Sequence, residues 1–332
     1  VKLTPDYSSM TILHVSLRKS NVLRVIMPFI LTMFILFWNI NPLLSSEIHS
    51  RDKVRKIRLV YGLTVSNRGD HAIKNVTVRI PIIQDHLPYQ TAIITSITPS
   101  AFSREKHRKG SSTARFLIDR IAPEEKRAFL ICADVEISEV TYNVQEKKAV
   151  NPDASMRQYL SSDDCFGTKS PALREKCKQF SHERNPLMRA LKIYEYLISG
   201  TFSFSNSPVS SGVDPGFEKK HLNCSDAAAL YLVMCRQCGI PARYVGGVFY
   251  TSERKWYPLL HAWVEIYIPP FGWLPVDPTL GRLSEKNRTL CFAHMRNRYI
   301  ALWNTQFSAF SIEASSNVDN LEIHNGVFAE SY

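Results

Sequence analysis

"HLNCSDAAALYLVMCRQCGIPAR", His221 to Arg243, holds three of the chain's seven cysteines, and the fold turns on which of them is placed to react. Asn223 is a good helix N-cap residue. Asp226, three positions later, stands where a capping box has its acid. Gly239 and then Pro241 end the helix. Cys224 therefore falls at the first helical position, where the macrodipole and the free N–H groups favour negative charge and a thiol becomes a thiolate. Cys235 and Cys238 sit in the last turn, beside Arg236, where the dipole opposes a thiolate. Their C-x-x-C spacing invites zinc, but zinc needs about four ligands, and neither a second C-x-x-C nor a close His pair accompanies it. Nor does the pair open a helix, as a thioredoxin-type dithiol does. Cys235 and Cys238 are read as structural.

A thiolate nucleophile needs a base, and the base needs a group to orient it. Downstream, "HAWVEIYI" puts His261 at the head of an alternating strand, and "GWLPVDPT" ends the next strand on Asp277, with Pro278 breaking it. Adjacent antiparallel strands can bring these two side chains together, and a helix packed on that sheet can present Cys224 to His261. Glu265, on the same strand face as His261, is a rival orienting group. Trp263, Trp273 and Tyr244 either line an acyl-donor cleft or pack.

"NCSDAAALYLVMCRQCGIPARYVGG" and "HAWVEIYIPPFGWLPVDPT", in that order, resemble the core of the transglutaminase-like superfamily. The likeness runs from about Asn151 to Gly281. It implies a papain-like α+β fold, with Cys224 as nucleophile, His261 as general base and acid, and Asp277 as the group orienting the imidazole. The sequence departs from animal transglutaminases, which carry Gln before the nucleophile and Trp after it. Here these are Asn223 and Ser225. No Trp lies between Asn39 and Lys255 to take the place of their oxyanion-stabilising Trp. The backbone N–H of Cys224 remains as an oxyanion donor; Asn223 and Tyr250 are candidates for a second.

Helices precede this core. "PALREKCKQFS" is one; "NPLMRALKIYEYLISG" is another, capped by Asn185, with Pro186 in its first turn and Gly200 closing it. Its apolar stripe is Leu187, Ala190, Leu191, Tyr194, Leu197 and Ile198. Before residue 151 the chain alternates instead. Ile57, Leu59, Tyr61, Leu63 and Val65 share one strand face, as do Val76, Val78 and Ile80, and "TAIITSI", "ARFLIDRI" and "KRAFLICADVEI" follow at similar spacing. This pattern predicts an antiparallel β-sandwich, and it resembles the N-terminal domain of some bacterial and archaeal members. Cys132, within an apolar run, is expected to be a small buried hydrophobe. "REKHRKG", Arg104 to Gly110, is expected to be a solvated loop.

Arg18, Lys19 and Arg24 precede an uncharged apolar run from Val25 to Trp38, shorter than the ~20 residues that usually span a bilayer. Small residues follow at Ser45 and Ser46. This is the pattern of an export signal or membrane anchor, and residues 25–38 are the candidate membrane contact. In an exported chain Cys165 and Cys177 could pair. The expected organisation is an export signal or anchor at 1–50, a β-sandwich at 51–150, a transglutaminase-like catalytic domain at 151–285, and a C-terminal extension at 286–332 with strands that complete the core.

Composition fits this reading. The chain is 45% hydrophobic and 21% charged, which excludes wholesale disorder. Its net charge of +11 comes without a nucleic-acid-binding motif. No acidic loop of calcium type appears, no metal or organic cofactor is required, and nothing sets an oligomeric state. The chemistry implied is thiol acyl transfer on carboxamide or peptide bonds of a protein or peptide substrate, ending in hydrolysis or transamidation. The alternative is a catalytically silent binding module of this fold at the cell envelope.

Overall fold

The computed structural model describes residues 48–107, 110–161, 166–205, 210–250, 258–304, 310–315 and 321–331. Residues 1–47 of the expected export or anchor segment, with its apolar run, and Cys165 lie outside the described residues, and residues 49–50 belong to the first strand. Among those that are described, no helix is long and apolar enough to cross a membrane.

Alternation governs the first part of the chain. In β1 (His49–Asn67) every second residue from Ile57 to Val65 is 2% exposed or less. β2 (Ile73–Pro81), β3 (Gln90–Thr98), β4 (Ser103–Lys106), β5 (Ser112–Ile121) and β6 (Lys126–Tyr142) follow. β1 and β3 both pair antiparallel with β6, and β2 and β4 both pair antiparallel with β5. The two sheets bury one core, with Ile57, Leu59 and Ile131 from one and Val76, Val78 and Phe116 from the other. Two expectations change here. Arg104, Glu105 and Lys106 form β4, an edge strand, not a loop; Glu105 pairs with Arg79 at 2.7 Å. Charge on an edge strand discourages a further strand from adding to it. Cys132 is only half-buried, because alternation along β6 sends its neighbours Ile131 and Ala133 inward.

The helical part begins with α1 (Pro171–Ser181) and α2 (Pro186–Ile198). Asn185 caps α2, accepting from the Leu187 and Met188 N–H groups. Short elements follow: β7 (Ser203–Phe204), α3 (Val213–Lys219) and β8 (His221–Leu222). Then comes α4 (Cys224–Gln237), which buries nearly its whole length. A helix apolar on all sides belongs in a core, and this one packs against β9 (Ala242–Tyr250) and β10 (Pro258–Ile268). β11 (Gly272–Val276) extends the sheet, and α5 (Pro278–Gly281) and α6 (Glu285–Leu290) come next.

The remaining strands are β12 (His294–Met295), β13 (Tyr299–Trp303), β14 (Ser311–Glu313) and β15 (Leu321–Ser331). β13 joins the sheet that packs on α4, whose order is β11-β10-β9-β13. β14 and β15 return to the sandwich, on β2 and β1, and β12 pairs with β6. The sandwich is thus built from both ends of residues 48–332, which form one compact unit. A division at 150 and 286 leaves out three of its strands, β12, β14 and β15, because an alternating strand shows which face is apolar but not which strand it will join.

β9 and β13 serve two cores at once. Phe249, Tyr299 and Ala301 enter the helical core, while Val248, Tyr250, Ile300 and Leu302 enter the sandwich core. Each large apolar side chain buried this way contributes about 1.5–3 kcal/mol, so the sandwich stabilises the sheet that carries the site.

Candidate active site

The start of α4 is a complete capping box. The Asn223 side chain accepts from the Asp226 N–H at 2.8 Å, and Asp226 accepts from the Asn223 N–H. The Asp226 carboxylate also receives the Ser211 and Gly212 N–H groups at 3.1 and 2.9 Å, which ties the preceding loop to the helix. Cys224 is the first helical residue and is partly exposed.

Beside it, His261 Nε2 lies 2.7 Å from Asp277 Oδ2. That leaves Nδ1 for the thiol, which is hydrogen-bonded to the imidazole. Asp277 is held from both sides. Its Oδ1 receives the Thr279 and Leu280 N–H groups at 2.9 and 3.0 Å, as N-cap of α5, and its Oδ2 also accepts from the Tyr299 hydroxyl at 2.8 Å. Phe249, Trp263 and Tyr299 surround the imidazole, with ring centroids 5.7–6.5 Å away. Close strand approach makes this possible. Gly247 lies opposite His261 across β9 and β10, and a Cβ there would come within 2.0 Å of the Ile300 carbonyl oxygen. At Gly246 a Cβ would run into the Trp303 ring.

The electrostatics follow from this packing. Burial alone would raise the Cys224 thiol, but the hydrogen bond and charge of His261, with a hydrogen bond from Ser225, hold it below its ordinary value. Burial would also strip the proton from His261, yet the charge and hydrogen bond of Asp277, helped by Cys224, push the imidazole up to about 10. Burial works against the Asp277 charge too, and His261, the α5 N–H groups and Tyr299 keep it below the usual carboxylate range. All three shifts favour a thiolate beside an imidazolium.

The structure separates the other candidates. Asn223 is 4% exposed and spends its side-chain oxygen on the cap. Trp263 is fully buried, a floor beneath the imidazole and not a cleft wall. Tyr250 does not line the site; it lies in the sandwich core, because strand alternation turns it away from its neighbour Phe249. Tyr244 is hydrogen-bonded to Ser225 beside the thiol, and burial, the larger effect, pushes its hydroxyl up to about 12. Trp273 packs on Arg243, 4.3 Å from the guanidinium carbon to its ring centre.

Glu265, the rival for Asp277, has partners of its own. Its carboxylate takes Arg243 Nε at 2.6 Å, the Tyr89 hydroxyl at 2.7 Å and His86 Nε2 at 2.9 Å. Tyr299 is the residue that sequence reading missed. It sits in "RYIALW", legible as a strand, but nothing in that stretch points to Asp277. Cys235 and Cys238 are buried, and no group of three His, Cys, Asp or Glu among the described residues could hold a metal ion.

Comparison with known proteins places these elements. Residues 174–278 match the model of the transglutaminase-like superfamily. The uncharacterised protein YebA of Bacillus subtilis strain 168 is 28% identical over 166 residues, 42% of this chain and 22% of YebA, so the match spans about a fifth of that relative's length. The crystal structure of a candidate cysteine protease from Cytophaga hutchinsonii has the same fold, with a TM-score of 0.59 at 19% identity over 85% of this chain and 93% of that one. The periplasmic domain of TgpA from Pseudomonas aeruginosa aligns with a TM-score of 0.38 at 16% identity, covering 68% of this chain and 87% of that one. Residues 174–278 are a transglutaminase-like domain, within an α+β structure whose N-terminal strands form a sheet domain ahead of it.

Proposed function

We propose that this chain is a thiol-dependent acyl-transfer enzyme acting on the carboxamide or peptide carbonyls of a protein or peptide. One observation carries the reading: His261 is fixed through Nε2 to Asp277 at 2.7 Å, and its other nitrogen is left to a thiol at a capped helix start. The Cys224 thiolate attacks the carbonyl carbon and the C=O electron pair moves onto oxygen. The developing oxyanion lies at the start of α4, whose first N–H groups have no partner within the helix. His261 gives its Nδ1 proton to the leaving amine as the C–N bond breaks, leaving a thioester. His261 then takes a proton from water or an incoming amine, which attacks the thioester and frees Cys224. Water gives hydrolysis; an amine gives transamidation. Arg18, Lys19 and Arg24 ahead of the Val25–Trp38 run support action outside the cytoplasm.

The test is mass spectrometry of a glutamine-containing peptide incubated with the protein and a primary amine. Gain of the amine means transamidation, backbone cleavage a peptidase, and loss of ammonia alone deamidation. All three are expected to vanish in Cys224→Ala. A Cys224→Ala protein with full activity would overturn the reading, and no product from the unsubstituted protein would favour the binding-module alternative.

A further inference from the structure

The acyl-transfer chemistry leaves the C-x-x-C of α4 without a task, and the two cysteines differ in their surroundings. Cys235 is fully buried and its sulfur is engaged with Tyr231. Cys238, the C-cap residue, turns toward α1, where its Sγ lies 3.3 Å from the carbonyl oxygen of Cys177. The Cys177 and Cys238 thiols also hydrogen-bond to each other. Both are free, and each is 3% exposed. A sulfur 3.3 Å from the other cysteine's carbonyl oxygen sets the two residues side by side, as a disulfide requires.

We propose that Cys177 and Cys238 form a disulfide when the chain folds in oxidising surroundings, tying α1 to the C-terminal end of α4. The oxidant is a small-molecule or protein disulfide. Either thiol can attack first. Where it is Cys238, whose Sγ lies beside Cys177, its thiolate displaces one sulfur of the oxidant, which leaves as a thiolate, and a mixed disulfide forms. The Cys177 thiol then loses its proton and displaces the second sulfur. Two protein thiols are oxidised and one oxidant disulfide is reduced to two thiols. The bond would close a loop between positions 61 apart, a constraint on the unfolded chain and a brace for the helix that begins at Cys224. It would lie in the core, shielded from reductants. Cys177 would then be joined to Cys238 and not to Cys165.

The test uses the full chain carrying Cys224→Ala, which removes the exposed reactive thiol. The protein is refolded in mixed reduced and oxidised glutathione, digested without reduction and mapped by mass spectrometry. One linked peptide pair containing Cys177 and Cys238 is expected, with an intact mass lower by two hydrogens and a Tm several degrees above that of the same protein unfolded and refolded in a dithiol reductant. Adding Cys177→Ser should abolish both the link and the Tm difference between the oxidised and reduced refolds, whereas adding Cys235→Ser should preserve both. Linkage of Cys165 to Cys177 or of Cys235 to Cys238, or full alkylation of every cysteine after oxidation, would overturn the proposal.

Discussion

β10 carries two buried ionic clusters on one face, at His261 and at Glu265, and they are built for opposite ends. At Glu265 every strong acceptor site is filled. Arg243 comes from the neighbouring strand, and His86 and Tyr89 come from the sandwich. At His261 the carboxylate is equally well held, by two N–H groups, a tyrosine and the imidazole itself, but the ring keeps its second nitrogen for a partly exposed thiol. A closed cluster of charges locks the sandwich to the sheet that carries His261. A cluster with one position left over can move a proton. Breaking a closed pair strands a charge in the interior, whereas breaking an open one removes chemistry.

The comparison can be broken by substitution. Cys224→Ala should lower the rate by roughly a millionfold, to background, with folding intact by circular dichroism. Asp277→Asn should lower kcat by about 10³–10⁴-fold, because the imidazole loses its orientation and the counter-charge of its protonated form. Single-turnover thioester formation would show the loss directly. Glu265→Gln belongs to the other cluster. It leaves Arg243 buried without its counter-charge and should cost about 3–5 kcal/mol of stability in denaturant titrations, with kcat preserved at temperatures well below Tm. A kcat that collapsed while stability held would make Glu265 part of the chemistry.

Its acid behaviour has a definite sign. Burial opposes the Glu265 charge, but Arg243 and His86 hold the folded carboxyl far below its usual range. The stability it contributes is therefore present above the unfolded value, near 4.3, and is lost as pH falls toward the folded one. Glu265→Gln should flatten the acid limb of the stability curve.

Tyr299→Phe sharpens the comparison on the catalytic side. It removes one hydrogen bond to a charged oxygen, worth about 1.5–3 kcal/mol, so kcat/KM should fall by about ten- to a hundredfold while KM holds. The smallest effect is the pH profile. Activity should rise as the Cys224 thiol ionises, below its ordinary pKa, and decline on the alkaline side as His261 loses its proton near 10. A Tyr299→Phe profile identical in rate and limbs to the wild type would make that hydroxyl a packing detail.

Much of this protein was legible before its structure. The strand faces from Ile57 to Val65 and from Val76 to Ile80, the cap at Asn185, the capping box at Asn223 and the helix end at Gly239 all follow from local rules: a period of two, a side chain returning to its own backbone, a residue tolerant of positive φ. These rules also singled out Cys224, because the reactivity of a helix start belongs to the helix itself. The pairing of His261 with Asp277 was legible as a possibility, since one opens and the other closes adjacent antiparallel strands.

Other features were decided by neighbours far away in the chain. Tyr250 and Phe249 are adjacent and chemically alike, yet one enters the sandwich core and the other the site, because β9 lies between two cores. Tyr299 reaches Asp277 only because β13 pairs with β9, and Cys238 meets Cys177 only because α1 packs on α4. β14 and β15 alternate like any strand, and only the assembled sheets decide that they close the sandwich. Local propensity depends on a residue and its near neighbours, so the sequence by itself determined the elements and the place of Cys224 at a helix start. Pairing between distant segments is chosen by the burial of whole faces, which exist only once the chain has folded.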